Sequence, residues 1–283
     1  MTYRDKYLEL LKIKNKYVNN SVIKTLLMDD GEFLDFTQLI NHFHDRLKDE
    51  KKIDENLKRI MDGEPMQYVL GYSYFVNSNY MVTPDVLIPR QETEQLVVAA
   101  LVNITKQFGT EKEIVIVDAG TGSGIIAIYM KENFPNAHVI ATDISEKALQ
   151  IARKNAESHQ VEVDFRLGNM IDPVKEKIDV LISNPPYIGG PETVDEQTLK
   201  YEPHLALFAE PKTKYYREIL AQLDKFNYEC YLAFEIGEDM ERELTDLLED
   251  HYQGIGYSFD QDIYGKTRFL YIYRKKEFEK YDA

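Results

Sequence analysis

The sequence is poor in the residues that build disulfide frameworks and metal sites. Its 283 residues include no Trp, a single cysteine and six scattered histidines. One thiol cannot form an intrachain disulfide, which fits the reducing cytoplasm. Cys230 lies in an apolar run with no nearby His or Asp to activate it, so we interpret it as a core residue. His42 and His44 are two positions apart and would point to different faces of a helix, so we expect no metal site.

Basic charge and long apolar stretches are also scarce. The chain has 34 Lys and Arg against 49 Asp and Glu, a formal net charge of −15. Its two tight basic groups, 51–52 and 274–276, adjoin acids, whereas nucleic-acid binding needs clustered cations. No apolar run approaches the length of a membrane span, and the charged first residues lack the apolar core of a signal peptide. We therefore expect a cytoplasmic protein, with no membrane contact and no direct contact with nucleic acid.

Hydrophobic periodicity divides the chain into three segments. Apolar residues recur at helical spacing through 1–71, which predicts a small N-terminal helical domain. Aromatic and β-branched residues dominate 72–90, which predicts a β-hairpin linker turning at 77–79. A helix near 92–108 then opens a domain, 91–283, in which strands and helices alternate, as in a parallel sheet with crossover helices.

The pattern predicts an α/β fold with a seven-stranded, mostly parallel, doubly wound sheet. The expected strands lie near 114–118, 138–142, 161–167, 178–183, 229–236, 255–260 and 268–274. The expected helices of this domain after 92–108 lie near 123–133, 145–157, 213–225 and 238–250. The last two strands have no helix between them, so they should pair antiparallel.

A glycine-rich loop follows the first strand of the sheet domain. Asp118 closes that strand, and Gly120, Thr121, Gly122, Ser123 and Gly124 precede a helix. Alternate glycines allow a tight turn and leave room for a ligand against the backbone. The G-x-G-x-G spacing is not that of dinucleotide sites. A carboxylate at Asp118 would repel a pyrophosphate but suit a ligand with a cationic amine.

A second acid, Asp143, ends the next predicted strand. A carboxylate there can accept hydrogen bonds from both ribose hydroxyls of a nucleotide ligand. Strand, Asp118, glycine loop, helix, strand and Asp143 in this order indicate S-adenosylmethionine as the cofactor. The alternative is that Asp143 caps the following helix, although Ser145 could fill that role.

Four residues, Asn184, Pro185, Pro186 and Tyr187, come directly after an apolar strand. The two prolines stop the strand and stiffen the turn after it, because each fixes its own φ and lacks an N–H. The Asn184 side chain has one carbonyl acceptor, and the Pro185 carbonyl should have lost its strand partners. Two acceptors beside the aromatic face of Tyr187 suit a planar group carrying an NH2, either an amide or a base. The alternative is a structural Pro-rich turn.

The proline motif and the glycine loop resemble those of class I methyltransferases that methylate amino groups. Three further segments, 63–71, 87–94 and 234–237, are similar to those of the release factor glutamine methyltransferase family. The resemblance covers nearly the whole chain, although the first 55 or so residues match only in helical character. It implies that S-adenosylmethionine methylates the glutamine amide in the Gly-Gly-Gln motif of class-1 peptide chain release factors, recognised with the help of the N-terminal helices. We expect a monomer.

Carried over by motif, the resemblance implies a role for each matching residue. The cofactor would be bound by Gly120, Thr121, Gly122, Gly124, Asp143, Asn169 and Met170, together with Asp118 and Asn184. Catalysis and substrate binding would fall to Asn184, Pro185 and Tyr187, with Pro186 also against the substrate. Asn169 stands where the family usually has an acid, and 208–212 departs from the usual glycines. Arg90, Glu92 and Thr93 could line the cofactor pocket or form a hinge, and Glu235 has a structural alternative.

Two other functions stay open at this point. The first is methylation of a ribosomal-protein glutamine or of an adenine or cytosine amine in nucleic acid, for which the acidic charge is unfavourable. The second is a cofactor-binding protein without catalysis that acts through its helical domain. The intact proline motif argues against the second.

Overall fold

In the computed structural model, which describes residues 1–252 and 255–274, the chain divides into two units, 1–72 and 73–283. Lys275 and Lys276 of the second basic group lie outside the described residues. Among the described residues, none of the helices is both long and apolar enough to cross a membrane.

The first unit consists of short helices around an apolar core. They are α1 (Tyr3–Leu10), α2 (Asn20–Gly31), α3 (Phe36–Asn41), α4 (Glu50–Met61) and α5 (Met66–Leu70). The side chains of Thr2, Asn19, Asp35 and Asp49 each accept a backbone N–H at the start of a helix. Such caps satisfy donors that the first turn leaves free, which explains where these helices begin. The core includes Leu26, Leu27, Leu39, Ile53 and Ile60.

A β-hairpin comes next, made of β1 (Tyr72–Phe75) and β2 (Ser78–Met81). Its turn lies at Val76 and Asn77, which have φ of 38° and 68°. The prediction of a turn at 77–79 was therefore wrong in position. Asn tolerates the left-handed region, but a β-branched residue does not, so Val76 needs support. The Glu94 side chain supplies it by accepting the Val76 N–H.

The remaining described residues form the predicted α/β domain. Its helices are α6 (Gln91–Phe108), α7 (Ile125–Asn133), α8 (Glu146–Ser158), α9 (Glu196–Tyr201), α10 (Lys214–Leu220) and α11 (Glu241–His251). Its strands are β3 (Val115–Ala119), β4 (His138–Asp143), β5 (Asp164–Leu167), β6 (Ile178–Ser183), β7 (Phe226–Glu235), β8 (Gly256–Gln261) and β9 (Thr267–Arg274). The structure adds α9, which the sequence did not predict, and ends α10 five residues before the predicted 225.

The seven strands lie in the order β5-β4-β3-β6-β7-β9-β8. The first five pair in parallel, and β9 pairs antiparallel with both β7 and β8. The antiparallel pairing of the last two strands is confirmed. Alternate residues face opposite layers: Ile116 packs with residues of α6 and α7, and Val117 with residues of α10 and α11.

The chain runs from β3 outward to β4 and β5 and then returns to β6 on the other side of β3. The order of the strands therefore reverses between β3 and β6. In open α/β sheets, ligands bind at such a switch point, beyond the carboxyl ends of the strands.

Candidate functional site

The glycine loop leaves β3 at the switch point and is tied to β4. The N–H groups of Gly120 and Thr121 both donate to the Thr142 carbonyl, at 2.9 and 2.8 Å. Gly120 and Gly122 have φ of 76° and 55°, which disfavour any residue with a Cβ. Gly124 also has a positive φ, of 85°, and it has a second reason to be glycine, since a Cβ there would lie 2.9 Å from the Ala152 Cβ. The missing side chain of Gly124 thus lets α7 start against α8.

Asp143 fastens the other side of this loop. One carboxylate oxygen accepts the Gly122 N–H at 2.9 Å, and the other accepts the Ser145 N–H at 2.8 Å. Ser145, and not Asp143, is the N-cap of α8, where its side chain accepts the Ala148 N–H. An ionised carboxylate has about four acceptor positions, so two remain for a ligand. Burial raises the pKa of Asp143, and hydrogen bonds from the backbone N–H groups of Ser145, Gly122 and Ile144 partly offset that rise.

Asp118 lies fully buried beneath the loop. One oxygen accepts the Thr121 hydroxyl at 2.5 Å and the Ala127 N–H at 3.1 Å. Its other oxygen has no partner in the described part of the chain. Burial raises the pKa of Asp118 to about 7. A buried carboxylate with an unused oxygen fits a ligand that brings a cationic donor close to it.

The buried carboxylate of Asp118 predicts a specific pH dependence of stability. Its pKa is about 7 in the folded protein and 3.8 as the reference for the unfolded chain. The folded state thus binds the proton more tightly than the unfolded chain does. The resulting contribution to the free energy of unfolding is complete below about pH 4 and is lost as the pH rises from 4 through 7. The difference corresponds to about 4 kcal/mol.

Asp118→Asn keeps an acceptor for Thr121 and Ala127 but cannot ionise, so it should become more stable relative to wild type as pH rises from 5 to 8. Urea unfolding of both proteins without cofactor at the two pH values measures this. An equal difference in unfolding free energy at pH 5 and pH 8 would contradict the assignment.

Two cavities meet beyond the ends of β3, β4 and β6. The first, which we call the loop cavity, is lined by residues that include Gly120, Gly122, Asp143, Asn169, Met170, Asn184 and Pro186. The second, the motif cavity, is lined by residues that include Arg90, Asn184, Pro185, Pro186, Tyr187 and Glu235. Asn184 and Pro186 line both. Asp118, Thr121 and Gly124 line neither cavity and belong to the support of the loop that borders the loop cavity.

Asn169 is oriented by a neighbour on α10. Its side-chain nitrogen donates to a Glu218 carboxylate oxygen at 2.8 Å. The Asn169 carbonyl oxygen is then left as the acceptor of that side chain in the loop cavity. Met170 is the next residue, with φ of 40°, and its carbonyl accepts the Thr142 hydroxyl at 2.6 Å. An acceptor is thus retained where Asn replaces the acid expected from the resemblance.

The proline motif ends β6 and keeps its acceptors available. Ser183 is the last residue of the strand, and its hydroxyl donates to the Ala119 carbonyl. Neither the Asn184 side-chain oxygen nor the Pro185 carbonyl has a hydrogen-bond donor among residues 1–252 and 255–274. Tyr187 donates its hydroxyl to Glu235 at 3.0 Å. Burial, followed by the Glu235 charge, raises the pKa of Tyr187 well above its usual value.

The sequence did not identify the partners of Asn184. Its side-chain nitrogen donates to the Thr93 hydroxyl oxygen at 3.0 Å, and Thr93 donates to Glu235 at 2.7 Å. Thr93 comes from the first turn of α6, and Glu235 ends β7. The one sequence signal for this contact was Glu235 itself, an acid near the end of a predicted buried strand. Burial raises the pKa of Glu235, while the hydroxyls of Thr93 and Tyr187 lower it.

The segments on either side of the motif cavity are joined by Glu202. It is buried, and its carboxylate accepts a hydrogen bond from the Arg90 guanidinium at 2.5 Å and another from the Ile88 N–H at 3.1 Å. The 208–212 segment, which departs from the family pattern, lies beside the motif, since the Ala209 N–H donates to the Ile188 carbonyl. Arg90 thus lines the motif cavity and also holds its wall. The Glu92 side chain makes no hydrogen bond within the described residues.

The chain matches known methyltransferases in sequence and in fold. Residues 98–201 match the model of the methyltransferase small domain family. The chain is 37% identical to the release factor glutamine methyltransferase of Flavobacterium psychrophilum, over 76% of this chain and 78% of that protein. It is 36% identical to the enzyme of that name from Lactococcus lactis, over 82% of this chain and 87% of the relative.

A solved structure of a methyltransferase from Pyrococcus furiosus matches the fold with a TM-score of 0.51. That alignment is 21% identical and covers 78% of this chain and 98% of the other. At this identity the likeness concerns the fold alone, and the predicted class I methyltransferase fold is confirmed.

Proposed function

The chain belongs to the release factor glutamine methyltransferase family, and we propose that it methylates the Gly-Gly-Gln glutamine of class-1 peptide chain release factors. The methyl group of S-adenosylmethionine would be transferred to the side-chain amide nitrogen of that glutamine. The observation that carries this proposal is the meeting of the loop cavity and the motif cavity at Asn184 and Pro186. A donor in one and an amide in the other would come into contact at the proline motif.

The loop cavity has groups that suit each part of the cofactor. Asp143 has acceptor positions left for the ribose hydroxyls, and the Asn169 oxygen would accept a hydrogen bond from the adenine amine beside Met170. The backbone of Gly120 and Gly122 borders the cavity without side chains, with Thr121 and Gly124 shaping the loop. The unused oxygen of Asp118 lies beneath it. The bound cofactor supplies an activated methyl group on a sulfonium, so the protein has to position its substrate and stabilise charge.

The motif cavity would hold the glutamine amide. The Asn184 side-chain oxygen and the Pro185 carbonyl would accept the two amide hydrogens, with Pro186 and Tyr187 against the flat group. Two acceptors on one NH2 group aim its nitrogen lone pair toward the loop cavity, and such alignment contributes several kcal/mol to catalysis. They also favour the positive charge that grows on this nitrogen in the transition state. The alkylated nitrogen loses its proton readily, so we assign no general base.

The N-terminal unit, 1–72, supports a second part of the proposal. It has a core of its own, while both cavities are lined by residues of the other unit. A single small cavity cannot provide protein-level specificity, so we propose that the N-terminal helices recognise the release factor. The protein would act as a monomer in the cytoplasm, where one buried thiol remains reduced.

The proposed substrate is tested by a panel in one assay. Labelled S-adenosylmethionine is incubated with the protein and with purified release factor, ribosomal proteins, DNA or RNA in parallel. We expect label in the release factor and background elsewhere, since an acidic chain of net charge −15 binds nucleic acid poorly. Label in ribosomal protein or nucleic acid, with none in the release factor, would refute the proposal.

A further inference from the structure

A buried chain of hydrogen bonds lies behind the proline motif. Glu235, 2% exposed, accepts the Thr93 hydroxyl with one oxygen and the Tyr187 hydroxyl with the other, at 2.7 and 3.0 Å. Its backbone carbonyl accepts the Tyr216 hydroxyl at 2.7 Å. Thr93, 6% exposed, is in turn the partner of the Asn184 side-chain nitrogen at 3.0 Å. These hydrogen bonds thus connect α6 and β7 with both ends of the proline motif.

The chemistry of these groups fixes the direction of each hydrogen bond. An ionised carboxylate can only accept, so with Glu235 ionised the single proton of the Thr93 hydroxyl is directed to it. The Thr93 oxygen can then only accept a hydrogen bond, which requires the NH2 end of Asn184 to face it. The hydrogen-bond network decides which end of an amide is nitrogen, and with Glu235 ionised this network places the Asn184 nitrogen toward Thr93.

We propose that Thr93 and Glu235 are positioning residues that hold the Asn184 amide with its oxygen toward the cavities. In this orientation the site accepts a hydrogen bond from a substrate NH2 group. With the amide turned over, the NH2 group of Asn184 would face the NH2 group of the substrate, and an acceptor would be lost. Thr93 and Glu235 would therefore select an amide over a carboxylate without touching either.

The same carboxylate also holds Tyr187, so one buried group sets the acceptor and the wall of the motif cavity together. A buried, fully used network of this kind restricts side chains to one arrangement. The catalytic consequence rests on the function proposed above, whereas the orientation of the Asn184 amide does not.

The kinetic test compares variants that differ by one hydroxyl. Thr93→Val keeps the shape of the side chain but releases Asn184, so kcat should fall about tenfold to a hundredfold, with little change in cofactor affinity. Thr93→Ser keeps the hydroxyl and should recover most of the loss. If valine disturbs folding, Thr93→Ala against Thr93→Ser makes the same comparison. Thr105→Val, an exposed substitution on the same helix, is the matched control and should behave as wild type.

A double-mutant cycle separates positioning from general damage. In an Asn184→Ala background, Thr93→Val should cost almost nothing further, because the residue through which it acts is gone. Equal losses in both backgrounds would overturn the proposal. A wild-type protein that fails to label the release factor would refute the proposed function instead, and the spectroscopic measurement below would still decide whether Thr93 holds Asn184.

The orientation of the amide can be read without activity. The side-chain NH2 resonances of Asn184 are assigned in nitrogen–proton correlation spectra by their loss in Asn184→Ala. We expect them to shift in Thr93→Val and to stay near their wild-type positions in Thr93→Ser. Unchanged Asn184 resonances in a folded Thr93→Val or Thr93→Ala protein would show that Thr93 does not hold this side chain.

Discussion

Replacing Asn184 with alanine should lower kcat for release factor methylation by about a hundredfold to a thousandfold, the range found when one preorganised hydrogen bond to a developing charge is removed. The Asn184 oxygen is one of two acceptors offered to the amide, and its contribution grows as the nitrogen becomes positive. Steady-state kinetics at saturating cofactor and release factor measure the effect. Cofactor affinity, measured by calorimetry, should change far less than kcat.

The control for this variant is Asn136→Ala. Asn136 is an exposed residue between α7 and β4, and its side-chain nitrogen donates a hydrogen bond to the Glu111 backbone carbonyl. It should keep wild-type kinetics. Near-normal turnover of a folded Asn184→Ala protein would instead make the proline motif a structural turn.

Replacing Asp143 with alanine should weaken S-adenosylmethionine binding by about 2–4 kcal/mol, by analogy with other hydrogen bonds to charged groups. Two effects act in the same direction. The variant loses the acceptors for the ribose hydroxyls, and it also releases the Gly122 N–H that the carboxylate holds at 2.9 Å. Calorimetric titration with S-adenosylmethionine and with S-adenosylhomocysteine measures the loss.

Asp246→Ala, an exposed acid on α11, provides the matched control and should bind the cofactor normally. Unchanged affinity in a folded Asp143→Ala protein would remove Asp143 from the cofactor site and leave it as a support of the glycine loop alone.

The sequence predicts the parts of this fold that depend on local patterns. Alternating apolar strands and amphipathic helices were enough to predict a mostly parallel sheet, and the missing helix between β8 and β9 predicted their antiparallel pairing. The position of β9 between β7 and β8 was not predicted, because the pairing of strands distant in sequence leaves no local signal. The turn at Val76 depends on Glu94, 18 residues away, which no turn pattern includes.

The same distinction applies to the candidate site. The glycine loop, the acids near the ends of β3 and β4 and the proline motif are each recognisable from a few consecutive residues. The supports of these groups are not, since Thr93 and Glu235 are 142 positions apart and Asn169 and Glu218 are 49 apart. A side chain that fixes an asparagine amide from another strand or helix becomes visible only when the sheet brings the two together.

The central claim is that the Asn184 motif directs a methyl group onto a glutamine amide, and tandem mass spectrometry of the release factor tests it most directly. After incubation with the protein and S-adenosylmethionine, the peptide containing the Gly-Gly-Gln motif should carry one added methyl group on the glutamine side chain. The same peptide should remain almost unmodified with Asn184→Ala over the same time. A methyl group on any other residue of the factor, or equal modification by the Asn184→Ala protein, would contradict the account.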